Sequence, residues 1–270
     1  MKKLLFLCLV LIFAASTAFA RGEIVTSRVE NGIIILKVDT REFKGKIKPL
    51  VVDELTTAKE IFETGEYVLV LNGGFFDMQT GAGISYVTID GVEVQTPWHN
   101  PKLMGELEIS GRTDAVLNRS ELRIIQNAKG KTEFKIAAHN DPLEKDESLV
   151  HSLQAGPELL PEMDLVKESF VQYGAGGVVN FEAASALKRR ARTVLAFRGH
   201  KEHDLYIVIF PNSNKVTLKE ARDFLKKEGF KRALALDGGG STSLYYDHME
   251  IHSNGSEEGR KLKSFLVIEK

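Results

Sequence analysis

The chain has 270 residues, 43% of them hydrophobic and 27% charged, with a formal net charge of −1. That length supports a sizeable core, and the composition is not that of a disordered chain or of a protein with the basic excess that nucleic acid demands. The single cysteine, Cys8, lies in an apolar N-terminal run, so the rest of the chain offers no disulfide framework, thiol nucleophile or thiolate metal site.

Residues 1–20 read as a signal peptide. Lys2 and Lys3 are the charged region, Leu4 to Ala15 the apolar region, and Ala18-Phe19-Ala20 the cleavage site. The mature chain is then expected from Arg21, periplasmic or extracellular, with no stable membrane span after cleavage; an uncleaved N-terminal anchor is the alternative. Residues 21–270 read as one domain.

Strands are expected at Gly32–Asp39 and Ile47–Val52, then a short helix over Glu54–Glu63 closed by Gly65. Tyr67–Leu71 is an apolar run without alternation, the mark of a strand buried on both faces. It leads into Asn72-Gly73-Gly74-Phe75-Phe76-Asp77, where Asn72 suits either a turn or a ligand. Core packing is expected for at least one of the two phenylalanines.

From Gly81 to Phe134 the pattern predicts short strands and turns: Ile84–Asp90, a hairpin at Asp90-Gly91, Val92–Gln95, Glu106–Ile109, Thr113–Leu117 and Leu122–Ile125. Thr96–Pro101 is an irregular loop with the only tryptophan, Trp98, which suits either a sugar site or a pin between loop and core. A strand at Phe134–Ala138 ends in His139-Asn140-Asp141-Pro142, a polar turn whose spacing fits no metal motif. Leu149–Gln154 is followed by Ala155-Gly156-Pro157-Glu158-Leu159. Residues 161–192 are weakly patterned, a mobile insertion or flap, and contain the basic run Lys188-Arg189-Arg190-Ala191-Arg192. Such a run suits a solvated face or contact with an acidic substrate.

Arg192-Thr193 opens the strand Val194–Phe197, and Asp204–Phe210 follows. Thr217–Glu228 is a helix with a Thr217/Glu220 capping box and a closing Gly229. Then comes Ala233-Leu-Ala-Leu-Asp237-Gly238-Gly239-Gly240-Ser241-Thr242-Ser243. A buried strand ending in one carboxylate, three glycines and three hydroxyls reads as a site for a polar, anionic substrate. The glycines let a ligand approach the backbone, whose N–H groups can cradle an anion. The spacing is neither that of a P-loop nor that of a dinucleotide fingerprint. Leu244–Tyr246 and Met249–His252 form a hairpin, and Phe265–Glu269 is the last strand. The predicted class is α+β (mixed α/β), a single domain on a largely buried mixed β-sheet with few helices.

The ordered set Asn72–Asp77, Ala155–Leu159, Arg192-Thr193, the capped helix, Leu236–Ser243 and Asn254–Arg260 resembles the phosphodiester glycosidase family, over roughly residues 65–268. The resemblance implies an exported enzyme that removes a sugar from a sugar-1-phosphodiester such as a GlcNAc-α-1-phosphodiester, in envelope or exopolysaccharide metabolism, with a glycosyl phosphodiester or polysaccharide as its partner. It implies Asp237 as the catalytic carboxylate. It also implies Asn72, Gly73, Arg192, Thr193, Gly238, Gly239, Ser241 and Arg260 as substrate-binding residues. Asp77 is the expected second carboxyl. No metal or other cofactor is expected, although loop carbonyls leave room for a calcium ion. The competing readings are a non-catalytic carbohydrate-binding envelope protein and a metal-dependent phosphodiesterase.

Overall fold

The computed structural model describes residues 24–30, 32–199 and 204–270. The expected signal peptide, with Cys8 and the start at Arg21, lies outside the described residues, as do His200 and His203.

Three sheets carry the structure. The first has six strands in the order Val25–Glu30, Ile33–Asp39, Asp204–Phe210, Arg192–Phe197, Arg232–Ala235 and Glu158–Leu160. The second has five, Met249–His252, Ser243–Tyr246, Tyr67–Asn72, Lys261–Glu269 and Ile47–Thr57. The third also has five, Val92–Gln95, Val87–Ile89, Ser148–Gln154, Ser120–Gln126 and Thr132–Ala138. A separate hairpin pairs Val171–Tyr173 with Val179–Glu182.

The protein is predominantly β with few helices, and this corrects the expected single mixed sheet. Every strand pair among the described residues is antiparallel. A parallel pair needs a long crossover, usually a helix, whereas the antiparallel strands here join through turns such as Asp90-Gly91, both residues at positive φ.

The sheets share one core. Leu36, Leu195 and Ile207 of the first meet Leu69, Leu71 and Leu266 of the second and Val87, Leu122 and Leu153 of the third. Alternate residues on the same central strands, Val194, Ala196 and Val208, point to the other face. There they are covered by Leu218, Ala221 and Leu225 of the helix Leu218–Lys227. Burial on both faces is why these strands read as unbroken apolar runs.

Caps set the helix boundaries. Thr217 Oγ1 accepts from Glu220 N at 3.1 Å, and Glu220 Oε2 accepts from Thr217 N at 2.8 Å, as expected. Thr57 and Glu60 make the same reciprocal pair, so the first helix is Ala58–Glu63 and residues 54–57 extend the preceding strand. The expected strands Glu106–Ile109 and Thr113–Leu117 are helical instead, within Pro101–Ser110 and Thr113–Leu117. Asn100 Oδ1 accepts from Leu103 N at 3.0 Å, Pro101 takes the first helical position and Gly111, at φ 64°, closes the helix. These end signals, with the helix-forming Leu103, Met104, Glu106, Leu107 and Glu108 between them, define the helix. Ile84–Asp90 shortens to Val87–Ile89, and the loop Thr96–Pro101 contains a 3₁₀ turn at Pro97–His99.

Strand ends converge at one edge of the core. Asp237 N donates to Gly73 O at 3.2 Å, Leu236 N to Thr193 O at 2.9 Å, and Gly156 N to Ala235 O at 3.0 Å. The two glycine-rich loops, the Ala155-Gly156-Pro157 turn and the Arg192-Thr193 strand start are thereby held together.

Candidate active site

Asn72 is the knot of this convergence. It is 1% exposed, and its Oδ1 accepts from Thr193 Oγ1 at 2.7 Å and from Ser243 N at 3.1 Å. Its Nδ2 donates to Asp237 O at 2.7 Å. The amide fastens the strands Tyr67–Asn72, Arg192–Phe197 and Ser243–Tyr246 to the Asp237 loop. Its polar atoms are thus occupied within the fold. Asn72 and the fully buried Thr193 fasten the loop to the strands.

Gly73 and Gly74 serve close packing. A Cβ on Gly73 would meet Ser264 Oγ at 2.6 Å, and one on Gly74 would meet Ser85 Oγ at 2.7 Å. Both distances are shorter than any side chain tolerates, so the pair is fixed by the backbones it rests on. Phe76 is buried, while Phe75 is partly exposed and its ring lies 5.7 Å from that of Phe170.

Asp237 stands at the end of the short strand Arg232–Ala235, partly accessible but in largely desolvated surroundings. Burial pushes its carboxyl up to about 6, against the opposing pull of the Ser241 hydroxyl, the Gly238 N–H, Arg260 and Arg192. Gly238 N donates to Asp237 Oδ1 at 2.8 Å. Ser241, fully buried, accepts from Arg260 Nη1 at 3.2 Å and bonds the Asp237 side chain.

The expected anion cradle of Gly238–Ser241 N–H groups is largely occupied by the protein itself. Gly238 N serves the Asp237 carboxylate, Gly239 N donates to Ala191 O at 2.8 Å and Ser241 N to Gly238 O at 3.2 Å. The glycines act instead through their missing side chains. A Cβ on Gly240 would lie 2.7 Å from Arg260 Cζ, and one on Gly238 would lie 3.5 Å from Arg192 Nη1. Gly239 sits at φ 60°. Gly240 lets the Arg260 guanidinium lie against the loop that carries Asp237, and Gly238 leaves room for Ala191 O, 3.0 Å from where its Cβ would stand.

Arg192 is 4% exposed. Its Nη2 donates to Ser185 O and to Lys188 O, both at 2.7 Å, and its Nε to Val216 O at 3.4 Å. Burial lowers its pKa to about 10, with Arg190 adding to the lowering and Asp237 opposing it, so it is cationic at neutral pH. The fork holds the 183–190 segment to the strand and turns Nη1 toward Gly238. Arg190, from the basic run, comes next to Gly239, its Cδ lying 3.9 Å from where a Cβ would stand. The neighbouring Arg189 is committed elsewhere, to Lys215 O and the Glu220 carboxylate. Arg190 lies beside the loop, a placement that the basic run alone did not reveal in the sequence.

A narrow crevice of about 10 Å³ lies beside the loop. Phe75, Pro157, Phe170, Arg192, Leu236 and Gly238 line it, so the residues on either side of Asp237 face it. Its wall is aromatic and aliphatic, with a cation at one point.

Asp77 is not part of this cluster. Its carboxylate accepts from Gln79 N at 2.7 Å and Thr80 N at 3.3 Å, an exposed turn cap held below the ordinary carboxylate range by those bonds. The charge that acts on it is Lys102. Among the described residues no group of three His, Cys, Asp or Glu is disposed to hold a metal ion. His139 Nδ1 pairs with Glu121 Oε2 at 2.8 Å, consistent with the polar-turn reading of its segment. Among the described residues no helix is long and apolar enough to cross a membrane.

The phosphodiester glycosidase family model matches residues 65–269. The chain belongs to the phosphodiester glycosidase family. The catalytic domain of zebrafish N-acetylglucosamine-1-phosphodiester alpha-N-acetylglucosaminidase, auto-inhibited by its pro-peptide, is similar at 18% identity and a TM-score of 0.61, over 88% of this chain and 76% of that one. A hypothetical protein from Synechocystis has 14% identity and a TM-score of 0.52, over 88% of this chain and 59% of its own. A protein of Burkholderia pseudomallei K96243 described as exported has 10% identity and a TM-score of 0.58, over 88% and 74%. At these identities the likenesses establish the fold. No curated protein matches the chain.

Proposed function

We propose that the protein is an exported glycosidase that hydrolyses the bond between a sugar C1 and a phosphodiester oxygen, with a GlcNAc-α-1-phosphodiester as the model substrate and an envelope or exopolysaccharide component as the natural one. One observation carries the reading: a single desolvated carboxylate, Asp237, stands on a glycine loop against which Arg192 and Arg260 are laid. A glycoside with an alcohol leaving group needs a second carboxyl as acid. A phosphate leaving group is already a weak base, so its departure needs charge neutralisation more than a proton. Arg192 and Arg260 supply fixed positive charge, with Arg190 beside Gly239 as a third source. Asp237, ionised above its raised pKa, activates water or attacks C1 directly. Asp77 has no part in this scheme. Asn72 and Thr193 act by fixing the loop, and no step calls for a metal ion.

Turnover of GlcNAc-α-1-phosphodiester with and without EDTA tests the reading. The expected product is free GlcNAc at an unchanged rate in EDTA. Sugar-1-phosphate that vanishes with EDTA would move the chemistry to phosphorus and favour a metal-dependent phosphodiesterase. Saturable binding of the diester with no turnover would favour a carbohydrate-binding protein.

A further inference from the structure

We propose that Trp98 is a platform for a sugar ring lying outside the bond broken at Asp237, so that the protein takes a polymeric glycan; this rests on the glycosyl phosphodiester reading above. Trp98 is the only tryptophan of the chain and is 58% exposed. A tryptophan that merely pinned its loop would turn its rings inward. Here Trp98 lies beside the Tyr86 side chain. Tyr86 is buried and stacks on His139 with ring centroids 3.9 Å apart and planes 5° from parallel. His139 is tied in turn to the buried Glu121 at 2.8 Å. On the backbone side, Thr96 Oγ1 accepts from Trp98 N at 3.4 Å and Asn100 caps the helix that follows. The Trp98 segment is therefore held in place, and at 58% exposure the residue turns much of its aromatic surface outward. Such a surface matches the C–H face of a pyranose, which is apolar and flat while its hydroxyls point sideways.

The platform lies on the same set of strand ends as the site. Trp98 follows Gln95, which closes the strand Val92–Gln95 and whose Nε2 donates to Ser85 O at 2.8 Å. Ser85 Oγ accepts from Phe75 N at 2.9 Å, in the loop that Asn72 ties to Asp237. On the other side Lys102 Nζ donates to Gln79 Oε1 at 3.0 Å, which joins the Trp98 segment to the turn capped by Asp77. That turn carries the exposed Met78.

A single tryptophan makes the test direct. The probes are an oligomer of GlcNAc joined through 1-phosphodiesters and the small GlcNAc-α-1-phosphomethyl diester. In an Asp237→Asn background, which removes turnover, the oligomer is expected to quench or blue-shift the tryptophan emission saturably and the small diester to leave it unchanged. In the otherwise unaltered enzyme, Trp98→Ala is expected to lower kcat/KM on the oligomer about tenfold, through KM, and to leave the small diester within about twofold, while Trp98→Phe retains most of the oligomer activity. A saturable emission change in a protein that hydrolyses neither probe would support the platform while overturning the glycosidase reading. An emission unmoved by the oligomer, or equal losses on both probes, would overturn the platform. So would an emission that changes with protein concentration alone, since the exposed indole would then join two copies of the chain.

Discussion

Asp237→Asn is expected to lower turnover of a glycosyl phosphodiester by about 10³-fold, the scale on which a positioned acid–base or nucleophilic group acts, and to raise stability at neutral pH. The two effects have one origin. Burial raises the Asp237 carboxyl from 3.8 to about 6, so between those values the folded protein binds more protons than the unfolded chain. Stability therefore falls as pH rises through that window, and the ionised carboxylate weighs against the fold above it. At about 1.4 kcal/mol per pKa unit, discounted because the side chain is partly accessible, the neutral amide gains about 1–2 kcal/mol at pH 7. The gain is absent at pH 4 and below, where the folded protein already holds the proton. Oδ1 of asparagine can still accept from Gly238 N, so the loop keeps that bond. Thermal unfolding at pH 4 and pH 7, alongside kcat, checks this, and a variant that is inactive but less stable at pH 7 would contradict it. The same carboxyl predicts a kcat/KM that rises with pH around 6 in the parent enzyme.

Arg192→Lys is expected to lower kcat/KM by about 10²-fold and Arg192→Met by about 10³-fold, with a loss of stability in both. Arginine reaches three carbonyls, of Ser185, Lys188 and Val216, with two of its nitrogens and turns the third toward Gly238. A lysine ammonium keeps the charge but not the planar fork, so it can serve the carbonyls or the substrate but not both. Methionine leaves these carbonyls without that donor, at a cost of about 1–3 kcal/mol where the carbonyl is buried, as at Val216. Kinetics and chemical denaturation on the same preparations separate the parts: lysine is expected to recover more stability than activity relative to methionine. A methionine variant with kcat/KM within about threefold of the parent would remove Arg192 from the reaction.

The strands were legible where burial leaves a simple trace. Tyr67–Asn72, Arg192–Phe197 and Asp204–Phe210 are apolar throughout because both faces are covered. Reciprocal caps made Leu218–Lys227 equally plain. The helices at Pro101–Ser110 and Thr113–Leu117 were obscured because they are short and only Asn100, Pro101 and Gly111 mark the ends. The division into three sheets was also hidden, since a run buried on both faces reads alike in any sheet.

At the site, the convergence of the glycine loops followed from the family's ordered motifs, but the roles within them did not. Asn72 in an Asn-Gly pair looks the same whether its amide meets a ligand or, as here, Thr193, Ser243 and Asp237. Asp77 follows Gly73 and Gly74 in sequence, and the fold uses its carboxylate to cap a turn through Gln79 N and Thr80 N. Arg190 and Arg189 are adjacent in one run, and only the fold turns one to Gly239 and the other to Glu220.

Hydrolysis of GlcNAc-α-1-phosphodiester in H₂¹⁸O, with the label located by mass spectrometry, tests the central claim most directly. Attack at the sugar carbon, by water or through a covalent sugar intermediate on Asp237, puts ¹⁸O on C1 of the released GlcNAc and none in the phosphate monoester. That is the predicted result. Label in the phosphate would mean that the P–O bond breaks, and the assignment of Asp237 to glycosidic cleavage would be wrong.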